Sequence, residues 1–203
     1  MNLGAVFFVL ANLLMVLGTA LLVPLGVGFL IDGATLFETS ELMAFGVTSG
    51  AALGGGYLIR LVTKNRAREV GVREGFGIVT GSWLLLALVG MLPYLLSGVT
   101  LSVTDAFFET MSGFTTTGAT AFESLEFMPA GIHVWRSMTQ WLGGMGIIML
   151  GMLLLSRALG GGMSIARAEL TGPSLSRLRP RIQETAKILW SIYVGFTALE
   201  FVL

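Results

Sequence analysis

The chain has 203 residues, carries 12 Lys+Arg against 12 Asp+Glu, and is 54% hydrophobic but only 12% charged. Soluble domains hold about 25% charged residues, so with a mean hydropathy of +0.84 the composition excludes an ordinary soluble domain and reads as an integral membrane protein. With no cysteine and one histidine, a disulfide framework and a thiolate metal site are excluded, and a multi-histidine metal site is not expected.

The first apolar segment is Leu3–Ile31, with Pro24 as its expected kink. It is no ordinary signal peptide: it lacks a basic start, and its apolar run far exceeds the usual stretch of about 7–15 residues. The second, Leu42–Ile59, is shorter and rich in glycine. Gly50 and Gly54 lie four apart there, a spacing that allows close helix packing or reflects glycine abundance alone. Phe76–Leu96, Ile132–Leu155 and Ile188–Leu203 complete the five segments. A span needs about 20 residues, so the fifth falls short when the chain stops, and a longer parent chain is expected.

The connections differ in charge. Residues 60–73 carry Arg60, Lys64, Arg66, Arg68 and Arg73; residues 156–187 carry Arg157, Arg167, Arg177, Arg179, Arg181 and Lys187. Residues 32–41 and 97–131 hold no Lys or Arg, only the acids Asp32, Glu38, Glu41, Asp105, Glu109, Glu123 and Glu126. The positive-inside rule then puts the N-terminus and both basic connections in the cytoplasm. Arg136, near the outer end of the fourth segment, stands apart; it either snorkels to the interface or pairs with Glu109 to brace the loop before it.

Residues 97–131 are too long and too apolar for a plain loop. Ser102 with Asp105 three residues on resembles a capping box, Phe107, Phe108 and Met111 give an apolar face, and Gly113 reads as a helix stop. Such a helix is about 15 Å long, half a bilayer. "FTTTGAT" then turns the chain back. Non-helical backbone at membrane depth survives only if buried in protein or lining a wet cavity, so one reading is a pore: the partly negative helix end points inward, Gly118 supplies backbone freedom, and carbonyls face a cation. The other reading is a hairpin lying on the headgroups. Glu109 bonds the loop or only solvates the outer surface, and Asp105 reads as a first-turn helix stabiliser.

"TDAFFETMSGFTTTGAT", "WRSMTQWLGGMGIIML", "RAELTGP" and "RPRIQETAKILWSIY" together resemble the first third or so of the TrkH family of bacterial potassium-uptake proteins. The resemblance implies four helix–pore-loop–helix repeats around one pore, preceded by two extra N-terminal helices that the related KtrB type lacks. It implies an all-α integral membrane fold, divided as an N-terminal two-helix transmembrane domain (1–70), a first repeat with its filter segment (71–160), and a connector with the first helix of a second repeat (161–203). The carbonyls of Thr116 and Thr117, next to Gly118 and flanked by Thr115 and Ala119, are then expected to bind potassium, with Glu109 and Arg136 as filter support. In plant relatives a serine at the Gly118 position goes with sodium preference, so glycine favours potassium.

The expected function is potassium transport by the pore-forming subunit of a Trk-type system in the bacterial inner membrane; the alternative is a non-conducting membrane scaffold. The expected partners are membrane lipid, the remaining repeats, a second copy in a homodimer, and, as the resemblance implies, a cytosolic nucleotide-binding subunit of the TrkA type; the basic segment 156–187 either contacts that subunit or serves only as a positive-inside anchor. Nucleic acid is not among them. Potassium is the transported ion; no catalytic residue and no covalently bound cofactor are expected. Ser112 with His133 does not make a protease site, since "TMSG" lacks the first glycine of a nucleophile elbow, and "LGGGMS" lacks the end of a phosphate loop. "GGMG" at 143–146 offers either a hinge or close packing.

The orientation is testable with single cysteines at Asn65 and Glu123. An impermeant thiol reagent applied to intact cells is expected to label position 123 and spare position 65; the reverse pattern inverts the topology.

Overall fold

The computed structural model describes residues 2–31, 40–64, 72–122, 124–126, 128–146 and 178–202, and among these every regular element is a helix. The first apolar segment forms α1 (Leu3–Ala20) and α2 (Leu22–Ile31). Asn2 caps α1, its side-chain oxygen accepting from the Ala5 amide at 3.3 Å. The break falls at Leu21 because Pro24 has no N–H for the carbonyl of Ala20 and its ring crowds that carbonyl. The same device recurs in the third segment. There α4 (Val72–Gly90) gives way to α5 (Leu92–Leu96) around Pro93. Between them lies α3 (Ser40–Thr63). Leu3–Ile31, Ser40–Thr63 and Arg73–Leu96 are each long and apolar enough to cross a membrane.

The segments called from the sequence reappear with moved edges. The second runs from Ser40, not Leu42, to Thr63, not Ile59. The last helix, α8 (Leu178–Val202), starts ten residues before the expected Ile188. Its first ten residues are polar but contain good helix formers, and Pro180 sits in the first turn, where a missing N–H is tolerated. The helix opening the fourth segment, α7, covers residues 130–146, and the rest of that segment and most of the basic connections lie outside the described residues.

Two units are distinguished, Met1–Trp141 and Leu142–Leu203. In the first, α1 packs against both α3 and α4. The α1–α3 contact is close. The Ser49 hydroxyl donates to the Gly18 carbonyl at 2.7 Å, and a Cβ on Gly56 would stand 2.9 Å from the Ala11 carbonyl oxygen. The small face of α3 is therefore Ser49, Ala52 and Gly56. Gly50 and Gly54, the pair singled out by their spacing, have open space around their Cβ positions. A four-residue spacing identifies a stripe but not which of several parallel stripes faces the partner.

Trp135 of α7 joins four helices. It is fully buried, its indole N–H donates to the Gly90 carbonyl at the end of α4 at 2.9 Å, and its ring meets Phe45 of α3 and Phe114 edge to face, with centroids 6.4 and 6.2 Å apart. In the second unit Gly144 lies against Tyr193 of α8, where a Cβ would approach the phenol oxygen to 2.6 Å. Of the two readings of "GGMG", close packing describes Gly144.

Gly56→Leu is expected to separate α1 from α3 and to destabilise the fold by about 1–3 kcal/mol, the usual cost of overpacking. Gly54→Leu, with open space, should leave stability unchanged. Thermal unfolding in detergent of the two variants distinguishes the faces.

Candidate functional site: a braced threonine-glycine loop

The short helix of the acidic segment is α6 (Val103–Phe114), 12 residues rather than about ten. Ser102 is its N-cap, accepting from the Asp105 amide at 3.2 Å. Half of the expected capping box is present. The Ser102 amide donates to the Thr100 hydroxyl at 3.1 Å. Gly90 admits α6 to the end of α4, since a Cβ there would lie 2.7 Å from Thr110 and 3.1 Å from Phe114.

Gly113 does not stop the helix, which runs to Phe114 with Thr115 as C-cap. Its role is proximity: a Cβ on Gly113 would collide with the hydroxyl of Thr139 on α7. The helix stops instead on Thr116, whose φ is +58°. The Thr117 amide donates to the Ser112 carbonyl and the Thr116 amide to the Gly113 carbonyl, both at 2.9 Å. These six-to-one and five-to-two bonds make a Schellman ending, with a β-branched residue where glycine is usual. Gly118 follows at φ +74°, its amide also directed to the Ser112 carbonyl at 3.4 Å. Three successive amides thus turn back onto the helix end. Among the described residues the carbonyls of Thr116, Thr117 and Gly118 accept no hydrogen bond, and all three residues are exposed.

The flanks of the turn are tied down. Thr115 Oγ1 donates to the Met111 carbonyl at 2.8 Å and lies 2.9 Å from Thr117 Oγ1. The Ser112 hydroxyl donates to the Ala119 carbonyl at 2.6 Å. Glu109 does most of the rest. Its side chain is 1% exposed. One carboxylate oxygen accepts from the Thr120 hydroxyl at 2.9 Å and the Ala121 amide at 3.0 Å, and the other accepts from Arg136 Nε of α7 at 2.5 Å. Arg136 is therefore paired inside the protein rather than snorkelling. Phe122 then packs on Tyr94 of α5 with ring centroids 5.5 Å apart.

The residues singled out from sequence, Thr115 to Ala119 with Glu109 and Arg136, thus fall into one cluster. Asp105 stays in the first turn of α6. Sequence reasoning missed Ser112, Thr120 and Thr139. Their only advance signal was hydroxyl-bearing residues in an otherwise apolar stretch.

The fold and this loop define a class: a multi-pass, all-helical membrane protein with a half-length helix whose C-terminal end opens into an irregular loop held by an ion pair whose carboxylate is buried. The match to known proteins narrows it. Residues 47–203 match the family model TrkH, described as a cation transport protein. The chain is 40% identical over 199 residues to the Trk system potassium uptake protein TrkH of Halomonas elongata, covering 97% of this chain and 40% of that protein. It is 44% identical over 166 residues to the protein of that name from Escherichia coli K12, covering 81% and 34%. The crystal structure of the potassium transporter TrkH from Vibrio parahaemolyticus superposes with a TM-score of 0.78 at 33% identity, over 98% of this chain and 38% of that one. The chain belongs to the TrkH family, and it spans about two fifths or less of the length of these relatives.

Glu109→Ala leaves the Thr120 and Ala121 donors without their acceptor and the partly exposed Arg136 unpaired, and is expected to cost about 1–3 kcal/mol, the usual penalty for hydrogen-bonding groups left unsatisfied. Tyr94→Phe removes a buried hydroxyl that has no hydrogen-bond partner among the described residues and should be neutral or stabilising. Thermal midpoints of both variants in detergent check the contrast.

Proposed function

We propose that this segment belongs to a potassium-conducting subunit, and that the loop after α6 contributes one part of its selectivity filter. The observation that carries the reading is the division of labour in the loop backbone: amides of Thr116, Thr117 and Gly118 are directed to the helix end, while their carbonyls are uncommitted and exposed. Those carbonyls lie at the C-terminal end of α6, where the helix dipole is negative and favours a cation. Carbonyl oxygens in such an arrangement replace the hydration shell of potassium. The relatives' names describe potassium uptake proteins, which agrees.

A dehydrated ion of this size takes roughly six to eight oxygens, by analogy with the larger hard cations. One loop supplies one or two per layer, so further repeats of a longer chain complete the ring. In this reading residues 1–70 form a leading two-helix domain, 71–160 the first repeat, and 161–203 the approach to a second. The N-terminus and both basic connections face the cytoplasm of a bacterial inner membrane, and α6 enters from the outside. The basic connection 156–187 suits a cytosolic regulatory subunit of the TrkA type, and the assembly is a homodimer.

The test is a chimera in which residues 1–203 replace the matching part of the full-length Halomonas elongata relative, reconstituted in liposomes. At Gly118 a Cβ meets open space but φ is +74°, a conformation that costs other residues about 1–2 kcal/mol. Gly118→Ser is expected to reduce potassium flux and lower the potassium-to-sodium flux ratio by roughly five- to thirty-fold if that strain is spent in the ion path. Gly113→Ser should reduce the amount of folded protein and leave the ratio per molecule unchanged. A ratio that follows Gly113 and ignores Gly118 moves the filter elsewhere.

A further inference from the structure

Glu41 lies in the first turn of α3, outside the helix–loop–helix unit that holds the loop. It is nonetheless 4% exposed. One carboxylate oxygen accepts from the Ile132 amide at 3.0 Å. Ile132 is in the first turn of α7, where backbone amides have no partner within the helix and the helix dipole favours a negative group. Two glycines leave room for the carboxylate. A Cβ on Gly131 would collide with it and stand 2.8 Å from the Pro24 carbonyl, and a Cβ on Gly28 would come within 3.3 Å of the same oxygen. One turn further along, Phe45 of α3 meets Trp135 of α7. The two helices are therefore fixed to each other at successive turns. Arg136 follows Ile132 by four residues, a single turn of the same helix, and Arg136 holds Glu109, which holds Thr120 and Ala121.

We propose that Glu41 is a positioning residue for the threonine-glycine loop: it fixes the start of α7, and thereby the height at which Arg136 meets Glu109. The leading helix pair is then part of the device that sets the loop, not only a membrane anchor beside it. The effect on ions rests on the reading of the loop as filter; the effect on loop geometry does not.

Two readouts on the chimera separate these. Hydrogen exchange of the peptide containing Thr120 and Ala121 reports whether the Glu109 bonds persist, independently of ions. The potassium-to-sodium flux ratio per folded molecule reports the ion path. Glu41→Ala and Gly131→Ala attack the same contact from opposite sides, so one remains informative if the other fails to fold. Both are expected to speed exchange at Ala121 and to lower the flux ratio by roughly two- to thirty-fold, the range over which residues along a packed network modulate a distant site. Glu41→Gln keeps an acceptor for the Ile132 amide and should stay closer to the parent in both readouts.

Unchanged exchange in folded Glu41→Ala or Gly131→Ala overturns the proposal, whatever the flux. Faster exchange with an unchanged flux ratio in these variants and in Gly118→Ser upholds the brace and overturns the filter reading. Faster exchange with an unchanged ratio in these variants, where Gly118→Ser does alter it, limits Glu41 to a structural role and overturns its part in ion selection.

Discussion

The site depends on one buried carboxylate, Glu109, and its contact with Arg136. Glu109 sits in the middle of α6, one to two turns before the helix ends, and its two oxygens face different tasks. One collects the returning chain at Thr120 and Ala121; the other meets Arg136. Desolvating such a pair is costly unless the remaining lone pairs are used, and here the Thr120 hydroxyl and the Ala121 amide use them. The order of the loop follows from this. Between residue 109 and residue 121 the chain must leave the helix, turn and come back within reach of a single side chain, which leaves few geometries open.

The surrounding helices keep the two ends of the ion pair at the right separation. α6 is held at the end of α4 through the gap at Gly90, and against α7 through the gap at Gly113. α7 is held by the indole of Trp135 on the Gly90 carbonyl and by Glu41 on its first turn. These contacts combine a missing Cβ with a neighbour that fills the space or with a directed hydrogen bond. That combination suits a bilayer, where apolar burial provides little force between helices, and close approach and hydrogen bonds provide more.

Much of this was legible in the sequence, and the failures have a common cause. The first span was readable to the residue because Asn2 and Asp32 flank its apolar run and its break follows from proline chemistry. The cap of α6 followed from Ser102 and Asp105, and the backbone freedom expected of Gly118 is used at φ +74°. What failed were statements about which side of a helix meets a partner. The spacing of Gly50 and Gly54 left a packing stripe and mere glycine abundance both open, because nothing local marked them above Ser49, Ala52 and Gly56. Gly113 was read by its local habit, ending helices, when its position is set by Thr139 on a helix distant in sequence. Glu41 was one acid in an outer connection; nothing nearby in the chain indicated that it would be buried against residue 132.

Thr116 carries a further consequence. A β-branched residue at φ +58° is an unfavourable choice by local preference, and strain of this kind persists only where the surroundings over-determine it. Glycine at this place would relieve the strain, and because glycine accepts either sign of φ with little bias, its backbone sign would not depend on the turn's hydrogen bonds. Threonine can hold the left-handed conformation only while the amides of residues 116 and 117 stay on the helix end. The backbone sign of residue 116 and these hydrogen bonds are thereby coupled: losing the bonds removes what offsets the strain.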